Sequence, residues 1–309
     1  MSRLSPILTV ELPSGGDVSV MRRRFGPDDP SLPRVAIVAG IRGDAPEGVR
    51  VAHVVASLLE SREPRLKGVV DLYPCVNPLA ALDGTRHWPF FDVDLNRLFP
   101  GREDGHPPDR VADALVRDVR GALQVIELRG AREAFAEVGQ AHIRVGDTRA
   151  AELATHANVR LVWTRAPGAA ASTTFAHQFP DSLVLEGGTG NRLTPGVGAE
   201  LVDGVMNLLV VLGVLAEGDL PFHWASMVRP VLVNDEDVHR VRALFGGLFL
   251  PDCAPWDEVD LGEKIGSVVD PVSGAELETV VSPHAGRVSA VRERPVVYPG
   301  TMVARVVAL

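Results

Sequence analysis

Four polar clusters carry the residues of this chain best suited to chemistry: IRGDAPEG (41–48), NPLAALDGTRHWPFFDVDLNR (77–97), ELRGARE (127–133) and EGGTGN (186–191). They set Arg42, Arg86, Arg97 and Arg129 beside Asp44, Glu47, Glu127 and Glu186. A guanidinium keeps its proton near neutral pH and offers a planar fork of donors that matches a carboxylate or a phosphate. Such clusters serve either as an anion site or as an internally satisfied salt-bridge network, and both readings stand at this point. Any cation placed between Arg42 and Arg129 would be repelled.

Other motifs add little. AGIRG and GGTGN are glycine-rich, yet neither is followed by the Lys and Ser/Thr of a phosphate-cradling loop, nor spaced as a dinucleotide fingerprint. Ser172, Thr173 and Thr174 lack the Gly-x-Ser-x-Gly elbow of a serine hydrolase and read as a helix cap or a pocket wall. Cys75 and Cys253 are far apart and indicate neither a disulfide nor a thiolate metal site. His87, His142, His156 and His177 are scattered, and each reads as a satisfied surface or core histidine rather than a ligand.

The clusters need elements to hold them. RVAIVAG (34–40) is a short β-branched strand, the segment after Gly48 has helical spacing, and GVVDLYPCVN (68–77) is a second buried strand, which implies parallel pairing through a right-handed crossover. Apolar strands around Val125 and Leu183 flank a helix-like DTRAAELATHA, and a further helix runs from about Gly198 to Leu215. Each of these four strands ends in one of the polar clusters. In open α/β sheets ligands sit at the carboxyl ends of strands, so the four clusters are expected to converge. From about Val228 the texture changes to short alternating strands, giving an α/β domain over 1–222 and a C-terminal β domain over 223–309.

Composition bounds the function. The 309 residues are 46% hydrophobic and 23% charged, within the range of globular chains. A net charge of −9 argues against nucleic acid as a partner, since phosphate neutralisation needs clustered Lys and Arg. The longest apolar run, Val205–Leu215, is about half of what a bilayer span requires, so no membrane partner is expected. No signal-peptide pattern is present, and a cytoplasmic location is the default expectation.

The pieces AGIRGDAPEG, NP at Asn77–Pro78, DLNRLFPG (94–101), IELRG (126–130), LEGGTGN (185–191) and a C-terminal module with GEKIGSVVDPVSG resemble, in order, the succinylglutamate desuccinylase/aspartoacylase branch of the zinc-carboxypeptidase-like fold. The resemblance covers most of the chain and is carried most specifically by DLNRLFPG. It implies an α/β fold with a zinc-carboxypeptidase-like mixed sheet covered by helices, plus a small C-terminal all-β, barrel-sandwich-like domain. That domain lacks a carrier lysine at its hairpin, since Lys264 lies in another turn, and is expected to cap the site or build an oligomer interface.

In that family a Gly-x-His-Gly-x-Glu loop and a later Asp-x-His supply three zinc ligands, and zinc activates a water and polarises the scissile carbonyl. Carried over, the ligand positions are Arg42, Ala45 and Arg129, and the Asp before the second His is Glu127. No metal or other cofactor is therefore expected, although zinc is the family's. Glu186 matches the family's general base, Asn96 and Arg97 the pair that holds a substrate carboxylate, and Arg86 a further pocket arginine. Glu186 is either catalytic or a carboxylate kept to pair with Arg42 or Arg129. The expected function is binding of a small anion, an N-acyl amino acid or a peptide carboxylate, without zinc-dependent hydrolysis. The alternatives are a deacylase with other ligands, a metal-free enzyme using Arg42, Arg129 and Glu186, or a structural or regulatory subunit that pairs with an active relative, which assembly as a self-sufficient homo-oligomer would count against.

Overall fold

A computed structural model describes residues 3–13, 15–62, 65–216 and 227–309. The expected boundary between 222 and 223 lies outside the described residues. At the centre are four parallel strands, β3 (Arg34–Ala39), β4 (Val69–Tyr73), β5 (Gln124–Gly130) and β8 (Leu183–Thr189), in the order β4-β3-β5-β8. Nearly every residue of these strands is buried, which is why they read as continuous apolar runs rather than alternating ones.

Helices cover both faces. On one, α1 (Pro46–Arg62) and α5 (Pro195–Val211) pack together with α4 (Thr148–Ala154) nearby. Val51, Val55 and Leu59 recur at i, i+4 and i+8 of α1 and are fully buried in that core. On the other face α3 (Pro107–Val119) buries Val111, Leu115 and Val119 beside Trp88, Phe99 and Phe175. The short α2 (Pro78–Asp83) follows β4.

Three features were not anticipated from sequence. An N-terminal hairpin, β1 (Arg3–Glu11) and β2 (Asp17–Phe25), extends the sheet antiparallel to β4. The long β6 (Phe135–Arg144) lies antiparallel to β8, and β7 (Leu161–Arg165) runs parallel to β6. Their mixed composition hid them, because one face of each meets the core and the other a polar cavity.

The C-terminal strands are β-rich as expected but divide between two sheets. β11 (Gly247–Pro251), β13 (Lys264–Val269), β14 (Glu276–Val281) and β16 (Val296–Val297) form a separate four-stranded sheet. β10 (Val238–Arg242), β12 (Glu258–Val259), β15 (Gly286–Arg292) and β17 (Met302–Ala308) instead continue the main sheet, with Ala290–Arg292 of β15 laddered on Phe135–Glu137 of β6. β9 (Val231–Val233) adds to β7. This covers backbone groups of β6 that would otherwise form an open edge. Lys264 is ion-paired with Asp252 at 3.3 Å. No helix among the described residues is long and apolar enough to cross a membrane.

Candidate functional site, an arginine-lined cavity

The loops after the parallel strands are stapled to one another. Gly40 turns the chain out of β3 with a φ of +66°, a conformation that favours glycine. Val76 and Asn77 then donate their amides to the carbonyls of Ala39 and Gly40 at 3.0 and 2.8 Å. The Asn77 side chain accepts from Ala80 N at the start of α2. A Cβ on Gly43 would fall 2.0 Å from the Ala80 carbonyl, so only glycine lets the loop lie this close to α2. Gly130, at the end of β5, packs on Ala45, where a Cβ would fall 3.2 Å from the Ala45 Cα. Together these contacts bring Arg42, Ala45 and Arg129 to one place.

Each guanidinium there is forked onto a carboxylate two residues away. Arg42 donates Nε and Nη2 to the two oxygens of Asp44 at 3.0 and 2.8 Å, and both residues are buried. Arg129 does the same to Glu127 at 2.5 and 2.7 Å. Burial opposes the Arg129 charge, but Glu127 outweighs it and holds the guanidinium pKa above its ordinary value. Asp94 does two jobs. One oxygen accepts from Asn96 N and caps the 3-10 turn Leu95–Arg97, while the other accepts Arg86 Nε and Nη2 at 2.8 and 2.7 Å. Arg97 lies 4.0 Å from that same oxygen, and its Nη1 donates to Ala170 O at 3.3 Å. Asn96 is buried with its Oδ1 accepting from Phe175 N, which ties it to the segment roofing the cavity.

Glu186 pairs with neither Arg42 nor Arg129. Its Oε1 meets His142 Nε2 at 2.7 Å and accepts Gln140 Nε2 at 3.2 Å, both from β6, where register sets Gln140 opposite Glu186. Burial pushes the Glu186 pKa up, but His142, Arg129 and Arg132 together pull it well below the usual carboxylate range. Burial dominates at His142 and lowers its pKa below 6.5 against the pull of Glu186. The pair therefore rests as neutral imidazole and carboxylate, with His142 Nε2–H donating and its Nδ1 buried without a partner among the described residues.

Both shifts have the same consequence. Between the lowered and the ordinary pKa the unfolded chain binds more protons than the folded one, so stability falls with acid. The His142 share is lost as pH drops below about 6.5, and the Glu186 share below about 4.5. Urea midpoints measured across pH 4–8 are expected to decline in this way, and His142→Gln should flatten the limb near pH 6. An unchanged limb in the variant would show that His142 is not its source.

The cavity has a volume of about 540 Å³, and every site residue named from sequence lines it: Arg42, Arg86, Asn96, Arg97, Arg129 and Glu186. The four clusters do converge. Sequence reasoning missed His142, Arg132, Arg144 and Arg165, which also line it. Arg132 lies within the cluster 127–133. Arg144 and Arg165 lie on β6 and β7, away from the carboxyl ends of the parallel strands, so the rule that located the others does not reach them. Alternation along QAHIR was the available signal, since His142 and Arg144 share one face of the strand. Thr174 also lines the cavity, in keeping with a pocket-wall role.

The donor set at Arg42, Ala45 and Arg129 does not fit a divalent metal, because neither a guanidinium nor a methyl group offers a lone pair. Glu47, the nearest carboxylate in sequence to Ala45 on the helix side, is fully buried. It accepts from Arg50 at 3.2 Å and from Thr194 N at the start of α5. His87 pairs with the exposed Asp92. Among the described residues no three His, Cys, Asp or Glu side chains are gathered as a metal site.

A mixed sheet with helices on both faces, strand-end loops converging on one polar cavity and a C-terminal β sheet defines a zinc-carboxypeptidase-like α/β protein. The model of the succinylglutamate desuccinylase/aspartoacylase catalytic domain matches residues 31–212, and the chain belongs to that family. A succinylglutamate desuccinylase/aspartoacylase from Rhodobacter sphaeroides superposes with a TM-score of 0.84 at 23% identity, covering 99% of this chain and 95% of that one. The product-bound ectoine utilization protein EutE (DoeB) from Ruegeria pomeroyi superposes with a TM-score of 0.82 at 18% identity, covering 100% and 95%. The N-alpha-acetyl-L-2,4-diaminobutyric acid deacetylase of Halomonas elongata is 31% identical over 100 residues, 32% of this chain and 27% of that protein.

Proposed function

We propose that this chain binds a small anionic ligand, an N-acyl amino acid or a peptide carboxylate, in the arginine-lined cavity and does so without zinc-dependent hydrolysis. The observation that carries the reading is the charge of the cavity. Seven arginines line it. Those within salt-bridge distance of a carboxylate share Asp44, Glu127, Asp94 and Asp235, and Glu186 is the one carboxylate among the described residues of the lining. Two cationic charges are thus left over among the described residues, enough to attract a dianion. Replacing a zinc ion by two guanidiniums keeps the positive charge that a carboxylate needs while removing the Lewis acid. N-acyl amino acids as the ligand class accord with the names of the relatives, one of them a deacetylase of an acetylated diamino acid.

Calorimetric titration with N-acetyl amino acids in the presence of a chelator tests this. Binding at micromolar to millimolar concentration is expected, and Arg97→Gln is expected to weaken it by about tenfold or more, the worth of a charge-assisted hydrogen bond. Binding that requires added zinc, or no binding at millimolar ligand, would reject the proposal.

The buried His142–Glu186 pair favours a second reading, an enzyme of metal-free chemistry in which Glu186 takes or gives a proton and Arg42 and Arg129 polarise a carbonyl. Their forks onto Asp44 and Glu127 already spend most of that charge, so a transfer or elimination on an activated substrate suits the site better than amide hydrolysis. Turnover that survives Glu186→Gln unchanged would sink this reading.

A further inference from the structure

We infer that Arg305 of the C-terminal strand β17 is a positioning residue for Glu186, acting through the side-chain amide of Gln140. The C-terminal strands thus shape a cavity that Arg305 itself does not line.

Register puts the parts in line. Glu137 of β6 is opposite Ala290 of β15, and Ala290 is opposite Arg305 of β17. Residues directly opposite one another share a face of the sheet. The small Ala290 between them leaves room for the arginine to lie across β15 and reach β6. Ser289, at a register shift of β15, braces it: its Oγ accepts Arg305 Nε at 3.0 Å and donates to the Arg305 carbonyl at 3.2 Å. The guanidinium lies over Trp163 at 4.9 Å, and its Nη2 is 3.4 Å from both Glu137 Oε2 and Gln140 Oε1. The Arg305 and Glu137 side chains are 1% and 0% exposed, so the pair is shut off from water.

These contacts leave the Gln140 amide one orientation. A guanidinium only donates, so Arg305 faces Oε1, whereas Glu137, paired with that guanidinium, accepts from Nε2 at 2.6 Å. The second Nε2 hydrogen is then aimed at Glu186 Oε1, 3.2 Å away. Turned the other way, the amide would set its oxygen against two carboxylates and its hydrogens against the guanidinium.

His142 Nε2 meets the same Glu186 oxygen at 2.7 Å. Two donors from β6 therefore hold Oε1, which leaves Oε2 for the cavity that Glu186 lines. A carboxylate oxygen fixed there accepts an N–H or O–H of a ligand. Trp163 packs on His142 with ring centroids 5.3 Å apart, but it is pinned separately by its Nε1 on Asp235 at 3.0 Å. Gln140 is thus the arm through which Arg305 reaches Glu186.

Solvent exchange of the His142 Nε2 proton, followed by NMR on the full chain at neutral pH, reads how firmly Glu186 is held. The wild type is expected to show a slowly exchanging, hydrogen-bonded proton there. Gln140→Met keeps the length of the side chain and removes the donor, and should speed exchange about tenfold or more, the worth of a hydrogen bond to a charged group. Arg305→Met alone would strand Glu137 in the interior, so the pair is removed together as Glu137→Leu with Arg305→Met, a replacement that buried ion pairs tolerate. This double variant should speed exchange about threefold or more, and should have no further effect in the Gln140→Met background. Backbone amides of β8 are the control, and their exchange should stay within about twofold of the wild type. Equal acceleration of those amides would mean a general loosening of the fold and overturns the inference. So does an unaltered His142 proton in the double variant, an undiminished effect in the Gln140→Met background, or a wild-type proton that exchanges too fast to observe. The readout needs no ligand, so none of these outcomes bears on the anion site, which the titrations with N-acetyl amino acids decide.

Discussion

Glu127→Gln is expected to lower the unfolding free energy by about 3 kcal/mol, read from urea denaturation. Glu127 is buried, and both of its oxygens are taken by the Arg129 fork. Losing the carboxylate charge leaves a guanidinium in the protein interior without its partner, and breaking a buried pair in this way typically costs about 3–5 kcal/mol. The lower end applies here for two reasons. About a fifth of the Arg129 side chain still reaches water, and Glu186 supplies some remaining attraction. Replacing both members, Arg129→Met with Glu127→Leu, should recover most of the loss, because an apolar pair of similar volume has no charge to desolvate. A single variant as stable as the wild type would mean that the Arg129 charge is satisfied elsewhere, and the compensation argument for the cavity would have to be redrawn.

The second large effect concerns metal. Wild-type protein exposed to excess zinc and then desalted is expected to retain less than about a tenth of an equivalent, whereas the triple variant Arg42→His, Ala45→Glu, Arg129→His should retain about one. The reasoning is local. The three positions already lie together, with Ala45 packed against Gly130 at the end of β5, so exchanging guanidiniums and a methyl group for imidazoles and a carboxylate supplies three lone-pair donors with one position left open. Elemental analysis reads the result directly and does not depend on any activity. Near-stoichiometric zinc in the wild type would return the chain to metal-dependent deacylation through other ligands. An empty triple variant beside an empty wild type would show that the carried-over positions do not define the site.

Much of this site was legible before any coordinates. The parallel strands announced themselves because strands buried on both faces must be apolar throughout, and each ended in a polar cluster whose position was then dictated by the topology. Arg42, Asn96, Arg97, Arg129 and Glu186 were found through those clusters. The partner of Glu186 was not. Pairing with Arg42 or Arg129 was the natural expectation from charge alone, yet each arginine is served by a carboxylate two residues away on its own loop or strand. His142 reaches Glu186 because β6 runs antiparallel to β8 in a register that no local pattern announces.

The C-terminal region shows the same division. Its turn chemistry and alternation identified short strands correctly. They could not reveal that β15 would ladder onto β6, or that Arg305 of β17 would be buried beside Glu137 and Gln140, one hydrogen bond removed from Glu186.

The amino-acid sequence by itself determined the family, the class of fold and the identities of Arg42, Ala45 and Arg129, whose side chains offer no lone pair, because these depend on residue identity and order along the chain. The tertiary structure alone decided which charges neutralise one another and which stand without a carboxylate among the described residues. Salt bridges fall off within a few ångströms, and the distances between residues 40, 130, 144 and 165 exist only once β3, β5, β6 and β7 are packed side by side.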